Sequence, residues 1–194
     1  MSNEITNSVE YGLCECHYAT VTAVAEDGTP TYAEPKKLLG AVSFDVSPTG
    51  NTTSFYADNI LYFATNADTG YQGDLELASL SDDFRKDIFG DTVDTNGLLV
   101  ESADSVKKEF ALLMQFEGDK KSRRHVLYRC TASRPNITSK TVEDQIQPQT
   151  TKVTITAMPL KSAKHITKAS IDNTETNKTV YDAWFTAVKS PTFA

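Results

Sequence analysis

The stretch from residue 110 to residue 135 constrains the fold of this chain more than any other. Large apolar side chains stand at every second position of its first half: Phe110, Leu112, Met114 and Phe116. This period of two predicts a strand with one buried face. Gly118 opens a turn, and a second apolar run returns over residues 126–128. We therefore predict a long β-hairpin.

The turn of this hairpin carries a cluster of basic side chains on a chain whose net charge is −7. The cluster consists of Lys120, Lys121, Arg123 and Arg124. A hairpin tip with one sign of charge is typical of a part that docks on a complementary surface. We predict such a basic docking tip here.

Composition extends the β prediction to most of the chain. Threonine occurs 25 times in 194 residues and interleaves with valine and isoleucine, which favours half-exposed strands. The length suits one β domain over residues 1–160, with an arm near residues 1–12. Residues 161–194 are predicted to form a C-terminal arm with a short helix. One further helix is predicted over residues 81–89, capped by Ser81 and ended by Gly90.

The charges are divided unevenly along the chain. Residues 1–100 hold 16 acidic and 4 basic side chains, whereas residues 101–194 hold 10 acidic and 15 basic ones. A head-to-tail contact between copies explains this division, because an acidic surface would meet a basic one. A nucleic-acid-binding tail and an ordinary solvated surface are the alternatives.

The segment from Asn51 to Gly70 is rich in aromatic residues and poor in charge. Its aromatic side chains are Phe55, Tyr56, Tyr62 and Phe63. A long loop or hairpin of this composition is a candidate contact surface. The alternative is a strand pair that folds onto its own core.

The sequence contains no phosphate-binding loop, zinc-protease motif or nucleophile elbow, so we predict a protein that is not an enzyme and needs no cofactor. Cys14, Cys16 and Cys130 could hold a soft metal, but C-x-C-H lacks the usual zinc spacing. The polar N-terminus and short apolar runs predict a soluble protein without membrane insertion, made in a reducing cytosol without disulfides.

The chain resembles the major tail proteins, or tail-tube proteins, of bacteriophages with long non-contractile tails. The resemblance covers nearly the whole chain and depends on six segments in the same order. They are Tyr11–Leu13 with His17–Ala19, Phe55–Asn59, Gly70–Glu76, Phe84–Gly90, the hairpin of residues 110–135, and Tyr181–Phe185.

The resemblance implies a mainly β tail-tube fold, a β-sandwich or barrel with one flanking helix, an extended loop and terminal arms. Six copies would form a ring, and rings would stack into a hollow tube through which DNA passes without specific binding. It also implies a place in the virion tail, assembly in the host cytoplasm, and three partners: tape-measure, tail-terminator and distal tail proteins.

On this resemblance, acids that point outward from strands become candidates for the tube lumen: Asp45, Asp74 and Glu76. The four aromatics of residues 51–70 become candidate contacts between subunits or rings. The main alternative function is a monomeric β-sandwich module that binds or decorates the virion. A virion-associated hydrolase is a further alternative, which the missing catalytic motifs disfavour.

Overall fold

The computed structural model of the chain describes residues 11–118, 122–141, 148–162 and 164–193. The protein is mainly β, as predicted. Its strands are β1 (Tyr11–Val24), β2 (Pro30–Tyr32), β3 (Lys36–Lys37), β4 (Ala41–Ala57), β5 (Ile60–Leu77), β6 (Thr92–Val93), β7 (Leu99–Val100), β8 (Phe110–Glu117), β9 (Arg124–Ala132), β10 (Thr151–Met158) and β11 (Lys168–Ile171).

One antiparallel sheet contains most of these strands. Its order is β2-β1-β8-β9-β10-β5-β4, while β3 pairs with β1 and β11 pairs with β9. β8 and β9 form the hairpin that the sequence predicts, with Leu113 opposite Val126 and Gln115 opposite Arg124. β6 and β7 form a small separate sheet.

The main core lies inside this curved sheet, consistent with a β-sandwich. It collects apolar side chains from β1, β5, β8, β9 and β10, including Tyr18, Leu75, Leu112, Leu127 and Ile155. All of these are at most 4% exposed. Burying each large apolar side chain contributes about 1.5–3 kcal/mol, so this layer is the main source of stability.

A second apolar layer covers the outer face of β1, β8 and β9. Leu113, Val126 and Tyr128 pack there against Leu160 and Trp184. The prediction that β8 buries only one face is therefore wrong, because all residues from Phe110 to Gln115 are buried. A distant part of the chain supplies the cover for the second face.

That cover is the segment predicted to be a C-terminal arm. Residues 168–171 pair with β9 as β11, and helix α2 (Lys178–Asp182) buries Tyr181. The segment therefore lies against the sheet of its own chain and is not extended. The predicted N-terminal arm, residues 1–12, falls mainly outside the described residues.

The predicted helix at residues 81–89 forms. Helix α1 spans Asp82–Phe84 and continues as a π-helix over Arg85–Phe89. The backbone N–H of Phe84 donates to Ser81 Oγ, and Gly90 ends the helix in the left-handed conformation at φ 74°. Its apolar side is buried in the main core.

β4 and β5 extend far beyond the sheet as a two-stranded hairpin. β10 pairs with β5 only as far as Tyr71, whereas β4 and β5 stay paired from Thr49 and Gly70 to Ala57 and Ile60. A Cβ atom at Gly70 would lie 2.1 Å from the backbone oxygen of Ala157, so only glycine fits at the point where the pairing of β10 with β5 ends. We call residues 49–69 the arm.

Candidate assembly surfaces

The arm projects from the sheet with both faces exposed. From Thr49 to Ala57 it spans eight residue steps, or about 26 Å at roughly 3.3 Å per residue in a strand. Internal hydrogen bonds support it, for example from Thr52 Oγ1 to Asn66 Oδ1 at 2.7 Å. The alternative of a strand pair folded onto its own core is therefore wrong. An isolated two-stranded hairpin is at best marginally stable in water, so a partner surface would stabilise this arm.

The end of the arm is apolar, and we call residues 55–63 the tip. Phe55, Tyr56, Tyr62 and Phe63, the predicted contact aromatics, are between 56% and 72% exposed there. Phe55 and Phe63 are directly paired, and the Phe55 and Tyr62 rings meet edge to face with centroids 6.4 Å apart. The structure thus brings the four predicted residues together.

Two further apolar residues of the tip were missed as site candidates. Ile60 is 62% exposed and Leu61 is 54% exposed. The sequence indicates them by the apolar residues that follow Phe55 and Tyr56 across the turn. Only the position of the turn shows that they lie beside the aromatic side chains. That turn consists of Asp58 and Asn59, with φ values of 51° and 61°, as a tight two-residue β-turn requires.

An exposed cluster of this kind is unusual on a monomeric protein. Scattered surface hydrophobics are ordinary, but contiguous apolar patches mark contact sites for proteins, ligands or membranes. The tip collects six large apolar side chains in nine residues. Residues 50–67 contain a single charge, that of Asp58. The tip is suited to burial against an apolar surface.

The predicted lumen acids lie together on another surface, the outer face of β4, β5 and β10, which we call the acidic face. Asp45 is the direct partner of Asp74, and Asp74 is also the partner of Thr154. Glu76 stands opposite Ser43 on one side and Lys152 on the other. Paired residues of a sheet point to the same side, so the three acids form one face.

Hydroxyl groups surround two of these acids. Ser43 Oγ donates to Glu76 Oε2 at 2.9 Å, and Thr154 Oγ1 donates to Asp74 Oδ1 at 2.8 Å. Hydrogen bonds from Thr150 and Ser43 hold the pKa of the Glu76 carboxyl below its usual value. This carboxylate is therefore charged at neutral pH, and the acidic face keeps a negative excess over Lys152.

The opposition of Asp45 and Asp74 costs stability. Like charges that stand directly opposite in an antiparallel pair destabilise it. Neither carboxylate forms an ion pair with a described residue, since the salt bridges lie elsewhere. The repulsive pair is thus an unfavourable feature of this exposed face.

The arginines of the predicted basic docking tip are engaged within the chain. Arg123 binds Asp172 through two hydrogen bonds, of 2.6 and 3.2 Å. Arg124 donates to Gln115 Oε1 at 2.7 Å and stacks on the Tyr181 ring, with 3.7 Å from its guanidinium carbon to the ring centroid. Both arginines thereby contact the C-terminal segment, and the docking role of the tip stays a prediction. Lys120 and Lys121 lie outside the described residues.

The sequence matches no protein-family model and no curated protein sequence.

The cysteines lie in the main core and beside it. Cys16 and Cys130 are buried, and Cys14 is half-buried. Burial raises the pKa of Cys14 to about 11 and that of Cys16 to about 12, so both thiols are protonated at neutral pH. Within the residues that the structure describes, no group of histidine, cysteine and carboxylate side chains could hold a metal ion.

In that same part of the chain, no helix is long and apolar enough to cross a membrane.

Proposed function

We propose that this protein is a subunit of a bacteriophage tail tube. Copies would join into hexameric rings, and the rings would stack into the conduit through which the genome is ejected. The observation that carries this proposal is the arm with its apolar tip. A folded domain that extends two strands about 26 Å into solvent and ends them in exposed aromatics needs another molecule to bury them.

The edges of the sheet support the same proposal. β4 stands last in the sheet order and pairs only with β5 in the described ranges, so its other side offers unpaired backbone groups. An exposed edge invites pairing with further strands, and closure of strands into a cylinder removes it. Edge pairing between six copies would give a closed inner wall.

The acidic face gives that inner wall a chemical role. Carboxylates that line a lumen repel the phosphates of passing DNA, so the genome slides without adsorbing. Screening limits this repulsion to about 8 Å from the wall at physiological salt. A role in repulsion also explains why Asp45 and Asp74 oppose each other at a cost in stability.

Assembly in this scheme takes place in the host cytoplasm, and the product is part of the virion tail. The tape-measure, tail-terminator and distal tail proteins would be the partners at the inside and the two ends of the tube. DNA is a passenger without a specific binding site. The subunit needs neither a cofactor nor catalytic residues for this role.

The decisive experiment is negative-stain microscopy of the purified full-length chain, together with light scattering over a range of protein concentration. We expect hexamers at low concentration and hollow tubes at high concentration. A constant monomeric mass, with no rings or tubes in any buffer, would refute the proposal. That outcome would favour the alternative, a monomeric β-sandwich module that binds or decorates the virion.

A further inference from the structure

The base of the arm borders an apolar groove. This groove has a volume of about 300 Å³ and opens between β4 and β5 on one side and β8 and β9 on the other. Its apolar lining residues are Phe44, Val46, Tyr71, Met114, Phe116, Val126 and Leu127. Small-molecule pockets typically occupy about 300–1,000 Å³, so this groove has room for one or two large side chains.

The rim of the groove is charged. Lys168 lies on it, with its ammonium group 4.8 Å from the centroid of the Tyr71 ring. Lys168 forms no ion pair with a carboxylate of the described residues. Asp45 also borders the groove, on the side of the acidic face. An incoming segment with one negative charge would therefore place that charge at Lys168 and away from Asp45.

The tip of the arm has the matching chemistry. It offers large apolar side chains to an apolar lining, and Asp58 is its single charge. The tip cannot reach the groove of its own chain, because β4 runs as one strand from the groove to the tip. Val46 and Ala57 are eleven residues apart on that strand, a separation of about 36 Å.

We propose that the tip of one copy docks on the groove of a neighbouring copy, with one or two of its large side chains inside the groove and Asp58 beside Lys168. This inference rests on the proposed function, since it requires that copies polymerise. The contact joins two different surfaces of the same chain, so each copy offers a groove after its own tip is buried. A heterologous contact of this kind propagates along an assembly.

Cross-linking between copies tests the inference directly. Copies that carry Asp58→Cys are mixed with copies that carry Lys168→Cys, assembled, and treated with a short homobifunctional thiol reagent. We expect the mixed dimer to form at least about tenfold faster than with a control thiol, because the contact raises the effective concentration of the two groups. The control replaces Asp58→Cys by Val106→Cys, a position 81% exposed and far from the arm in sequence.

The native thiols do not interfere with this experiment. Cys16 and Cys130 are buried, and burial raises the pKa of Cys14 to about 11. Tubes that form while the Asp58→Cys and Val106→Cys mixtures cross-link equally would overturn the inference and leave the proposed function standing. Failure of the unaltered protein to polymerise under any condition would overturn both.

A charge-exchange cycle covers the case in which the cysteine variants do not assemble. Asp58→Lys and Lys168→Asp should each raise the concentration needed for polymerisation, and the double variant should recover most of that loss. Recovery is expected because the double variant restores an opposite pair at every contact. Losses that simply add in the double variant would overturn the inference.

Discussion

At the scale of single residues, the prediction that Asp74 and Glu76 point outward from their strand is confirmed, and it agrees with alternation along β5. Leu75 and Leu77 are buried, and Asp74 and Glu76 lie on the acidic face. Strict alternation would also put Val42 on the same face as Phe44, but it does not hold there. A β-bulge between Ala41 and Ser43 shifts the strand and leaves Val42 53% exposed. Alternation cannot show such an extra residue, because the partner strand determines it.

The ion pair of Glu109 and Arg129 makes a testable contribution to stability at this scale. Arg129 Nε and Nη2 donate to the two oxygens of Glu109 at 2.8 and 2.7 Å. The hydrogen bond from Arg129 lowers the pKa of the Glu109 carboxyl in the folded state. Its stabilising effect is therefore complete above the unfolded pKa of about 4.3 and is lost as the pH falls through the folded value.

We expect Glu109→Gln to lower the free energy of unfolding by about 1–3 kcal/mol at pH 7, because the arginine loses a charged acceptor. The difference from the unaltered protein should shrink as the pH falls below 4. Urea denaturation at pH 7, 5 and 3.5 measures both effects. Glu26→Gln, an exposed acid without a described ion pair, is the control and should change little. If the ion pair of Glu109 and Arg129 did not stabilise the fold, Glu109→Gln and Glu26→Gln would give the same urea curves.

At the scale of elements, local patterns predicted what each segment forms but not what covers it. The hairpin of β8 and β9 followed from apolar spacing and turn chemistry. The burial of the second face of β8 depends on residues 160–188, more than forty positions away in sequence. Residues 161–178 contain few apolar side chains, so only pairing with β9 reveals their place. For the arm, composition identified the tip aromatics, and exposure identified the tip as a surface.

The arm yields the central prediction at this scale. Replacing Tyr56 and Phe63 together by Ser should leave the domain folded, because both side chains are more than half exposed. Polymerisation should fail, since the variant loses two of the apolar groups that a partner buries, each worth about 1.5–3 kcal/mol. Circular dichroism measures the fold, and sedimentation measures polymerisation.

A matched control separates this effect from a general loss of apolar surface. Val106→Ser with Ile137→Ser removes two exposed apolar side chains, 81% and 100% accessible, from other parts of the chain. This control should polymerise like the unaltered protein. Normal tubes from the Tyr56 and Phe63 variant would contradict the assignment of the tip to assembly.

At the scale of the whole molecule, the division of charge along the sequence only partly predicts the surfaces. Three arginines of the second half, Arg123, Arg124 and Arg129, bind groups of their own chain. Three acids of the first half do gather, because the neighbouring strands β4 and β5 bring Asp45, Asp74 and Glu76 to one face. Which charges the fold leaves unpaired thus depends on contacts that are distant in sequence.

Reversing the charge of the acidic face tests its role in the assembled tube. Tubes of Asp45→Lys with Asp74→Lys should retain labelled DNA in a sedimentation assay, and added salt should release it, because phosphate contacts release bound counterions. Glu26→Lys with Glu175→Lys changes the net charge equally at exposed positions off this face and is the control. If the face lines the lumen, the first variant should retain DNA far more strongly than the control, with the retained DNA protected from nuclease inside the tube. Equal retention by both variants, or retained DNA that nuclease digests at once, would place the acidic face on the outside.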